Sequence, residues 1–75
     1  MLEKITKILV ETANVDANLV TEEATLKEDL GIDSLDSVEI VIALESEFDI
    51  TIEDEEIKTL TTVGDIVKLI ESKLN

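Results

Sequence analysis

The sequence has no cysteine, histidine, arginine or proline, and Phe48 is its only aromatic residue. Without cysteine it can form neither a disulfide nor a thiolate metal site. Without histidine it has no imidazole base, nucleophile or metal ligand. One aromatic side chain cannot supply the stacking platforms that bind single-stranded nucleic acid. These absences exclude histidine- and cysteine-based catalysis and disfavour nucleic acid as a partner.

The charge is strongly one-sided, with 19 acidic residues against six lysines and a net charge of −13. Nucleic acids and anionic membranes attract proteins of the opposite sign, so neither is an expected partner. An acidic protein is instead steered towards basic partners. No apolar run approaches the ~20 residues of a membrane span. The first residues lack a basic stretch followed by an apolar core, so we expect no signal peptide, no membrane insertion and a cytoplasmic location.

The length and the apolar pattern predict one small all-α domain covering residues 1–75. Apolar residues at three- and four-residue spacing predict long helices over residues 2–13 and 34–48 and a last one after Thr61 or Thr62. Acidic residues 53–56 open a short helix. The expected fold is a four-helix bundle of three longer helices and one short helix, with a long loop over residues 14–33 between the first two.

Individual residues predict the helix ends and the side chains that face the core. Asn14 suits the end of the first helix, and Gly31 suits a left-handed turn before the second. Asp33 or Ser34 is the expected N-cap of the second helix, with Asp36 at the capping-box spacing. Two sets of residues are expected to face the core: loop anchors at Val15, Leu19, Val20, Leu26 and Leu30, and a last-helix stripe of Val63, Ile66, Val67, Ile70 and Leu74. Residues 48–52 are expected to be an extended linker without a partner strand.

The second helix carries two apolar stripes. One is a normal core stripe, made of Ser37, Ile40, Val41, Leu44 and Phe48. The other consists of Leu35, Val38 and Ile42 on the opposite side, bordered by acidic residues. Isolated surface apolar residues are ordinary, but three aligned ones within a charged rim are typical of an interface. The negative rim predicts a partner surface that carries lysine and arginine.

Ser34 stands where this helix begins, and three roles are open to it. A serine at a helix start can simply cap the helix. A protease-like nucleophile is excluded because no histidine exists to activate it, and no lysine lies near it in the sequence. The third role is attachment of a phosphate-linked group, which the N–H groups and the positive dipole end of a helix would stabilise.

The segment Gly31-Ile32-Asp33-Ser34-Leu35-Asp36-Ser37-Val38-Glu39 resembles the modification motif of acyl carrier proteins. The resemblance extends over nearly the whole chain, from Glu28-Asp29-Leu30 to Thr61-Thr62-Val63-Gly64-Asp65. It implies that Ser34 receives 4′-phosphopantetheine from coenzyme A through a phosphopantetheinyl transferase. The thiol of this arm would then carry acyl groups as thioesters. Because the reactive sulfur is imported, the absence of cysteine is consistent with this function.

The resemblance also implies roles for other residues. Asp33 and Leu35 would flank the attachment site. The partner-docking residues would be Asp36, Val38, Glu39, Ile42, Glu45 and Glu47. The acyl-chain pocket would be lined by Ile40, Val41, Leu44, Phe48, Ile52, Ile57 and Leu60. No dedicated metal site is expected, although pairs among Asp33, Asp36, Glu45, Glu47 and Asp49 could bind hydrated divalent cations weakly.

The resemblance favours a monomeric, non-enzymatic carrier that moves intermediates between fatty-acid-synthesising or acyl-transferring enzymes with basic docking patches. Two alternatives remain open on the sequence. One is a discrete carrier for another cargo, such as a polyketide, aminoacyl or D-alanyl group. The other is an acidic interaction module in which Ser34 is never modified.

Overall fold

The computed structural model describes residues 1–74, and its regular structure is helical. The helices are α1 (Leu2–Ala13), α2 (Ser34–Phe48), α3 (Asp54–Ile57) and α4 (Val63–Leu74), with one 3₁₀ turn at Ala17–Leu19. Among the described residues β pairing is limited to an isolated antiparallel bridge between Thr25 and Thr62. The predicted all-α fold with three longer helices and one short helix is therefore confirmed. None of the described helices is both long enough and apolar enough to cross a bilayer.

One apolar core joins α1, α2, α4 and the long connection between α1 and α2. Each long helix contributes a stripe at three- and four-residue spacing, as its sequence pattern predicts. The most deeply buried side chains are Ile5 and Leu9 of α1, Leu44 of α2, and Val63, Ile66 and Ile70 of α4. Burial of apolar surface is the main favourable term that holds such a small bundle together.

The long connection is fixed to the beginning of α4 by backbone hydrogen bonds. The N–H of Leu26 donates to the carbonyl of Thr61 at 2.9 Å, and the N–H of Val63 donates to Ala24 at 3.0 Å. Gly64 donates to the carbonyl of Glu22 at 2.9 Å. A Cβ atom at Gly64 would lie only 3.0 Å from that carbonyl oxygen, so glycine permits this close approach. These bonds hold the connection against the bundle.

Two predicted core residues are exposed. Leu19 is 52% exposed, because it lies in the tight 3₁₀ turn at Ala17–Leu19, where Val20 points inward instead. Leu74 is 51% exposed, because it is the last residue of α4 and extends beyond the layer that covers Ile70. The other predicted anchors of the loop and of α4 are buried or half-buried.

The predicted helix ends are confirmed. Asn14 ends α1 in the left-handed conformation with φ 55°, and Gly31 has φ 67°. Thr62 caps α4: its hydroxyl accepts from the N–H of Asp65 at 3.2 Å, and the Asp65 carboxylate accepts from the N–H groups of Thr61 and Thr62, each at 3.0 Å. Residues 49–53 form the linker between α2 and α3, outside any strand, and Ile52 is buried in it.

Candidate functional site

The turn before α2 determines where Ser34 lies. Thr25 and Asp29 close this turn reciprocally: the Thr25 N–H donates to the Asp29 carboxylate at 2.8 Å, and the Asp29 N–H donates to the Thr25 hydroxyl at 3.0 Å. Gly31 then reverses the chain through its positive φ. The next side chain, Ile32, is 4% exposed and anchors the backbone in the core. Ser34 therefore follows a rigidly held segment.

Asp33 is the N-cap of α2. Its carboxylate accepts a hydrogen bond from the N–H of Asp36 at 2.8 Å, and the Asp36 carboxylate accepts from the N–H of Asp33 at 3.5 Å. The predicted capping box is therefore present, with Asp33 and not Ser34 as the cap. Since another residue caps the helix, the exposed hydroxyl of Ser34 is not needed for that role.

The position of Ser34 suits an attached anion. The first backbone hydrogen bond of α2 is donated by the N–H of Ser37 to the carbonyl of Asp33 at 2.9 Å. The N–H groups of Ser34 and Leu35 precede it and belong to the helix end where the dipole is positive. A phosphate joined to the Ser34 oxygen would lie next to these groups.

Ser34 also borders an open groove of about 330 Å³. One wall is the turn of residues 25–28, and the other is formed by residues 60–61. Ile32, Asp33 and Ser37 complete the lining. An elongated group attached to Ser34 would have this groove beside it on the protein surface.

Beneath the groove lies a small apolar cavity of about 30 Å³, enough for one or two water molecules. Its lining includes five of the residues expected at an acyl-chain pocket: Ile40, Val41, Leu44, Ile57 and Leu60. Phe48 and Ile52, which were also predicted, are not among its lining residues. Four further lining residues were not foreseen: Leu26, Ile32, Ser37 and Ile66.

Phe48 and Ile52 lie outside this cavity for a physical reason. The ring of Phe48 is turned towards α1, with the Nζ of Lys4 6.0 Å from its centroid. Ile52 is buried in the linker, and its N–H donates to the Glu45 carboxylate at 2.8 Å. The unforeseen residues Leu26 and Ile32 lie in the connection, where the sequence has no periodicity to indicate a facing direction.

The groove and the cavity share the residues Leu26, Ile32, Ser37 and Leu60. These side chains separate the surface beside Ser34 from the apolar interior. A flexible arm that starts at Ser34 would need to displace only this layer to place an apolar group in the core.

The second apolar stripe of α2 is exposed, as predicted: Leu35 is 77%, Val38 55% and Ile42 60% accessible. Glu39 and Glu47 are exposed beside it, whereas Asp36 and Glu45 are half-buried. Three large apolar side chains surrounded by carboxylates form a surface suited to a partner with an apolar patch and a basic rim.

Glu45 and Glu47 differ in their surroundings. The Glu45 carboxylate accepts the hydrogen bond from Ile52 and so has a structural role within the chain, which the sequence did not indicate. Glu47 lies 4.0 Å from the Nζ of Lys4, an exposed pair of low expected strength. In residues 1–74 no three acidic side chains converge on a point that could hold a metal ion.

Comparisons with known proteins place the chain in a family. A family described as a phosphopantetheine attachment site matches residues 3–70. The chain is 49% identical over 74 residues to a curated acyl carrier protein of Phenylobacterium zucineum, covering 99% of this chain and 94% of that protein. The crystal structure of an acyl carrier protein from Thermotoga maritima superimposes with a TM-score of 0.85 at 40% identity, over 96% of this chain and 84% of that one.

A Mycobacterium tuberculosis protein assigned as an acyl carrier protein superimposes with a TM-score of 0.86 at 31% identity, over 93% of each chain. The fold and the family match define a small helical domain of the class that bears a phosphopantetheine attachment site. The chain belongs to the acyl carrier protein family. Its cofactor is accordingly 4′-phosphopantetheine.

Proposed function

We propose that this chain is a single-domain carrier of acyl groups in fatty acid biosynthesis and that Ser34 is the residue to which its cofactor is attached. The observation that carries the proposal is the placement of Ser34. Its exposed hydroxyl lies at the first residue of α2, is not used as the cap, and borders a groove above an apolar cavity.

The attachment would join the Ser34 oxygen to the phosphorus of the pantetheine half of coenzyme A and release the nucleotide half. The bound group supplies a thiol that carries acyl chains as thioesters. The chain's own residues would hold it: Asp33 fixes the helix start, and the N–H groups of Ser34 and Leu35 could donate to the phosphate. No residue of the chain is required to act as a catalyst, and the transferase supplies the chemistry.

The apolar cavity would shelter the acyl chain. Each methylene moved out of water contributes about 0.8 kcal/mol, which favours burial of the chain in the core. The cavity of about 30 Å³ is too small for more than the first carbons, so its walls must move apart to admit a longer chain. Two lining residues, Ile57 in α3 and Leu60 in the loop after it, lie outside the long helices. An outward movement of α3 and this loop would carry both side chains away from the cavity.

The exposed face of α2 would be the docking surface. Leu35, Val38 and Ile42 supply its apolar centre, and Asp36, Glu39, Glu45 and Glu47 supply its negative rim. The expected partners are a phosphopantetheinyl transferase and the enzymes that build or transfer acyl chains, each with a basic patch. We propose a monomer acting in the cytoplasm, where its substrates for loading are made.

Two measurements test this function. Incubation with coenzyme A and a phosphopantetheinyl transferase should increase the intact mass by one phosphopantetheine group. Failure to gain that mass with an active transferase would support an unmodified interaction module instead. The cargo is then identified by mass spectrometry of the protein purified from its own cells. Fatty acyl thioesters support the proposal, and polyketide, aminoacyl or D-alanyl thioesters would assign another pathway.

A further inference from the structure

The short helix α3 is the least anchored of the four helices. It has only four residues, Asp54–Ile57, and none of them is buried. Ile57 and Leu60 are half-buried, and both line the apolar cavity. Isolated helices of this length are unstable, so tertiary contacts must hold α3 in place. The position of α3 and the residues that follow it therefore sets one wall of the cavity.

One ion pair connects α3 to α4. The Nζ of Lys73 lies 2.8 Å from the Oε1 of Glu56, and the two side chains are only 23% and 32% exposed. The same oxygen of Glu56 accepts from the N–H of Glu53 at 2.9 Å, which ties the pair to the first turn of α3. The other pair found in residues 1–74, Lys4 with Glu47, is looser at 4.0 Å and more exposed at 65% and 47%.

The surroundings favour an ionised Glu56 at neutral pH. The hydrogen bond from Lys73 and the backbone N–H of Glu53 hold the pKa of Glu56 below its usual value, against a smaller opposing effect of desolvation. Glu56 immediately precedes Ile57 in α3, so its side chain and the cavity-lining side chain belong to one rigid turn. A restraint on Glu56 is therefore a restraint on the cavity wall.

We propose that Lys73 is a positioning residue: through its ion pair with Glu56 it holds α3 closed over the apolar cavity and so limits how often an acyl chain enters or leaves. The functional part of this inference rests on the proposed carrier function, whereas the opening of α3 can be measured on the unmodified chain. Outward movement of α3 breaks this pair and exposes two half-buried side chains, but it leaves α1, α2 and α4 packed.

Native-state hydrogen exchange of the unmodified protein tests the first part. The reporter amides are those of Ile57 and Lys58, which donate to the carbonyls of Glu53 and Asp54. Lys73→Met should accelerate their exchange about two- to five-fold, the range expected for loss of one partly exposed pair. Core amides of α1, such as that of Leu9, should exchange faster in the variant only if its global stability is lower than that of the native protein.

Three further variants separate the pair from general charge effects. Lys73→Arg should restore slow exchange in α3, because arginine can keep the pair. Lys4→Met removes one positive charge from the looser pair and should leave α3 exchange unchanged. In a Glu56→Gln background, adding Lys73→Met should accelerate exchange no further, since the pair is already lost.

The second part is tested on protein carrying a medium-chain acyl thioester. Cleavage of that thioester by hydroxylamine should be faster in Lys73→Met than in the native protein or in Lys4→Met. Equal α3 exchange in native and Lys73→Met proteins, or equal acceleration of α1 and α3, would overturn the proposal. A changed exchange rate with an unchanged cleavage rate would also overturn its functional part. Failure of Ser34 loading would instead contradict the carrier function and leave the exchange result standing.

Discussion

The carboxylate of Glu45 accepts a hydrogen bond from the backbone N–H of Ile52 at 2.8 Å, across the bend that follows α2. Asp49 ends α2 in the left-handed conformation with φ 54°, and the linker then turns back along the helix. Ile52 is 6% exposed, so its N–H needs a partner in a place that water reaches poorly. Glu45 thus fastens the linker between α2 and α3 to the body of α2.

This contact gives Glu45 a role in stability in addition to its proposed place in the docking rim. Glu45→Ala should lower the free energy of unfolding by about 1–2 kcal/mol, because the Ile52 N–H loses its acceptor. Glu45→Gln should cost less, since an amide oxygen can still accept. Urea unfolding followed by circular dichroism measures both. Equal stabilities of the Ala variant and the native protein would show that the bond contributes nothing.

The capping box of α4 should make stability depend on pH. The N–H groups of Thr61 and Thr62 hold the pKa of Asp65 below its usual value. A lowered folded-state pKa stabilises the fold above the unfolded-state pKa of about 4, and that stabilisation is lost as the pH falls through the folded-state pKa. Asp65→Asn should therefore be less stable than native protein by about 1 kcal/mol at neutral pH, and the gap should narrow below about pH 4.

Denaturant unfolding of both proteins at several pH values measures this gap. Subtracting the two curves of unfolding free energy against pH removes the contribution that the other acidic residues make to both proteins. The exposed Glu71 at the far end of α4 supplies a control, since Glu71→Gln removes a carboxylate that caps nothing. A gap between native and Asp65→Asn proteins that stays constant down to about pH 2 would contradict the assigned role.

The rim of the α2 stripe should control the rate at which partners associate. Glu39 is the cleanest position to change, because it is exposed, whereas Asp36 also serves the helix cap. Glu39→Lys should slow loading by the transferase about tenfold at low salt and less at high salt, since screening weakens the attraction. Initial rates at subsaturating carrier concentration give the comparison.

A charge reversal elsewhere on the surface provides the matched control for that experiment. Glu71→Lys changes the net charge by the same amount but lies on α4. If both variants slow loading equally, overall charge and not the α2 face governs association. Unchanged rates for Glu39→Lys would argue against this docking surface altogether.

The high negative charge should make the fold sensitive to ionic strength. The molecule measures 28 × 22 × 20 Å and carries a net charge of −13. Raising the salt from about 0.01 to about 0.1 M shortens the screening length from about 30 to about 10 Å, which is smaller than the molecule. The melting temperature should therefore rise over this range.

Divalent cations add a second comparison. If the pairs among Asp33, Asp36, Glu45, Glu47 and Asp49 bind magnesium weakly, the melting temperature should rise further with magnesium chloride than with sodium chloride at equal ionic strength. Equal melting temperatures in the two salts at equal ionic strength would show that screening is the only effect. A melting temperature independent of both salts would contradict the role of self-repulsion.

The sequence predicted the helices well because its signals there are local. Apolar spacing gave the bounds of α1 and α2, and Asn14, Gly31 and Asp33 marked their ends through intrinsic backbone and capping preferences. The exposed stripe of α2 was also predictable. A helix with apolar residues on two opposite faces can bury only one of them in a bundle this thin.

The parts that escaped prediction depend on long-range contacts. The pairing of residues 22–26 with residues 61–64 and the pair of Lys73 with Glu56 join positions far apart in the chain, and the bond from Ile52 to Glu45 links a loop to a helix across a bend. Helical periodicity carries no information about such contacts. The sequence likewise did not indicate that Phe48 and Ile52 lie outside the small cavity, because facing the core does not specify which neighbour a side chain meets.

The central claim, that Ser34 alone carries the cofactor, is tested most directly by loading two matched variants. Ser34→Ala and Ser37→Ala each remove one hydroxyl from the first turn of α2, and the Ser37 hydroxyl donates only to the Asp33 carbonyl at 3.0 Å. After incubation with coenzyme A and transferase, intact-mass spectra should show one added phosphopantetheine on the native and Ser37→Ala proteins and none on Ser34→Ala. Loading of Ser34→Ala, or loss of loading in a folded Ser37→Ala protein alone, would contradict the assignment.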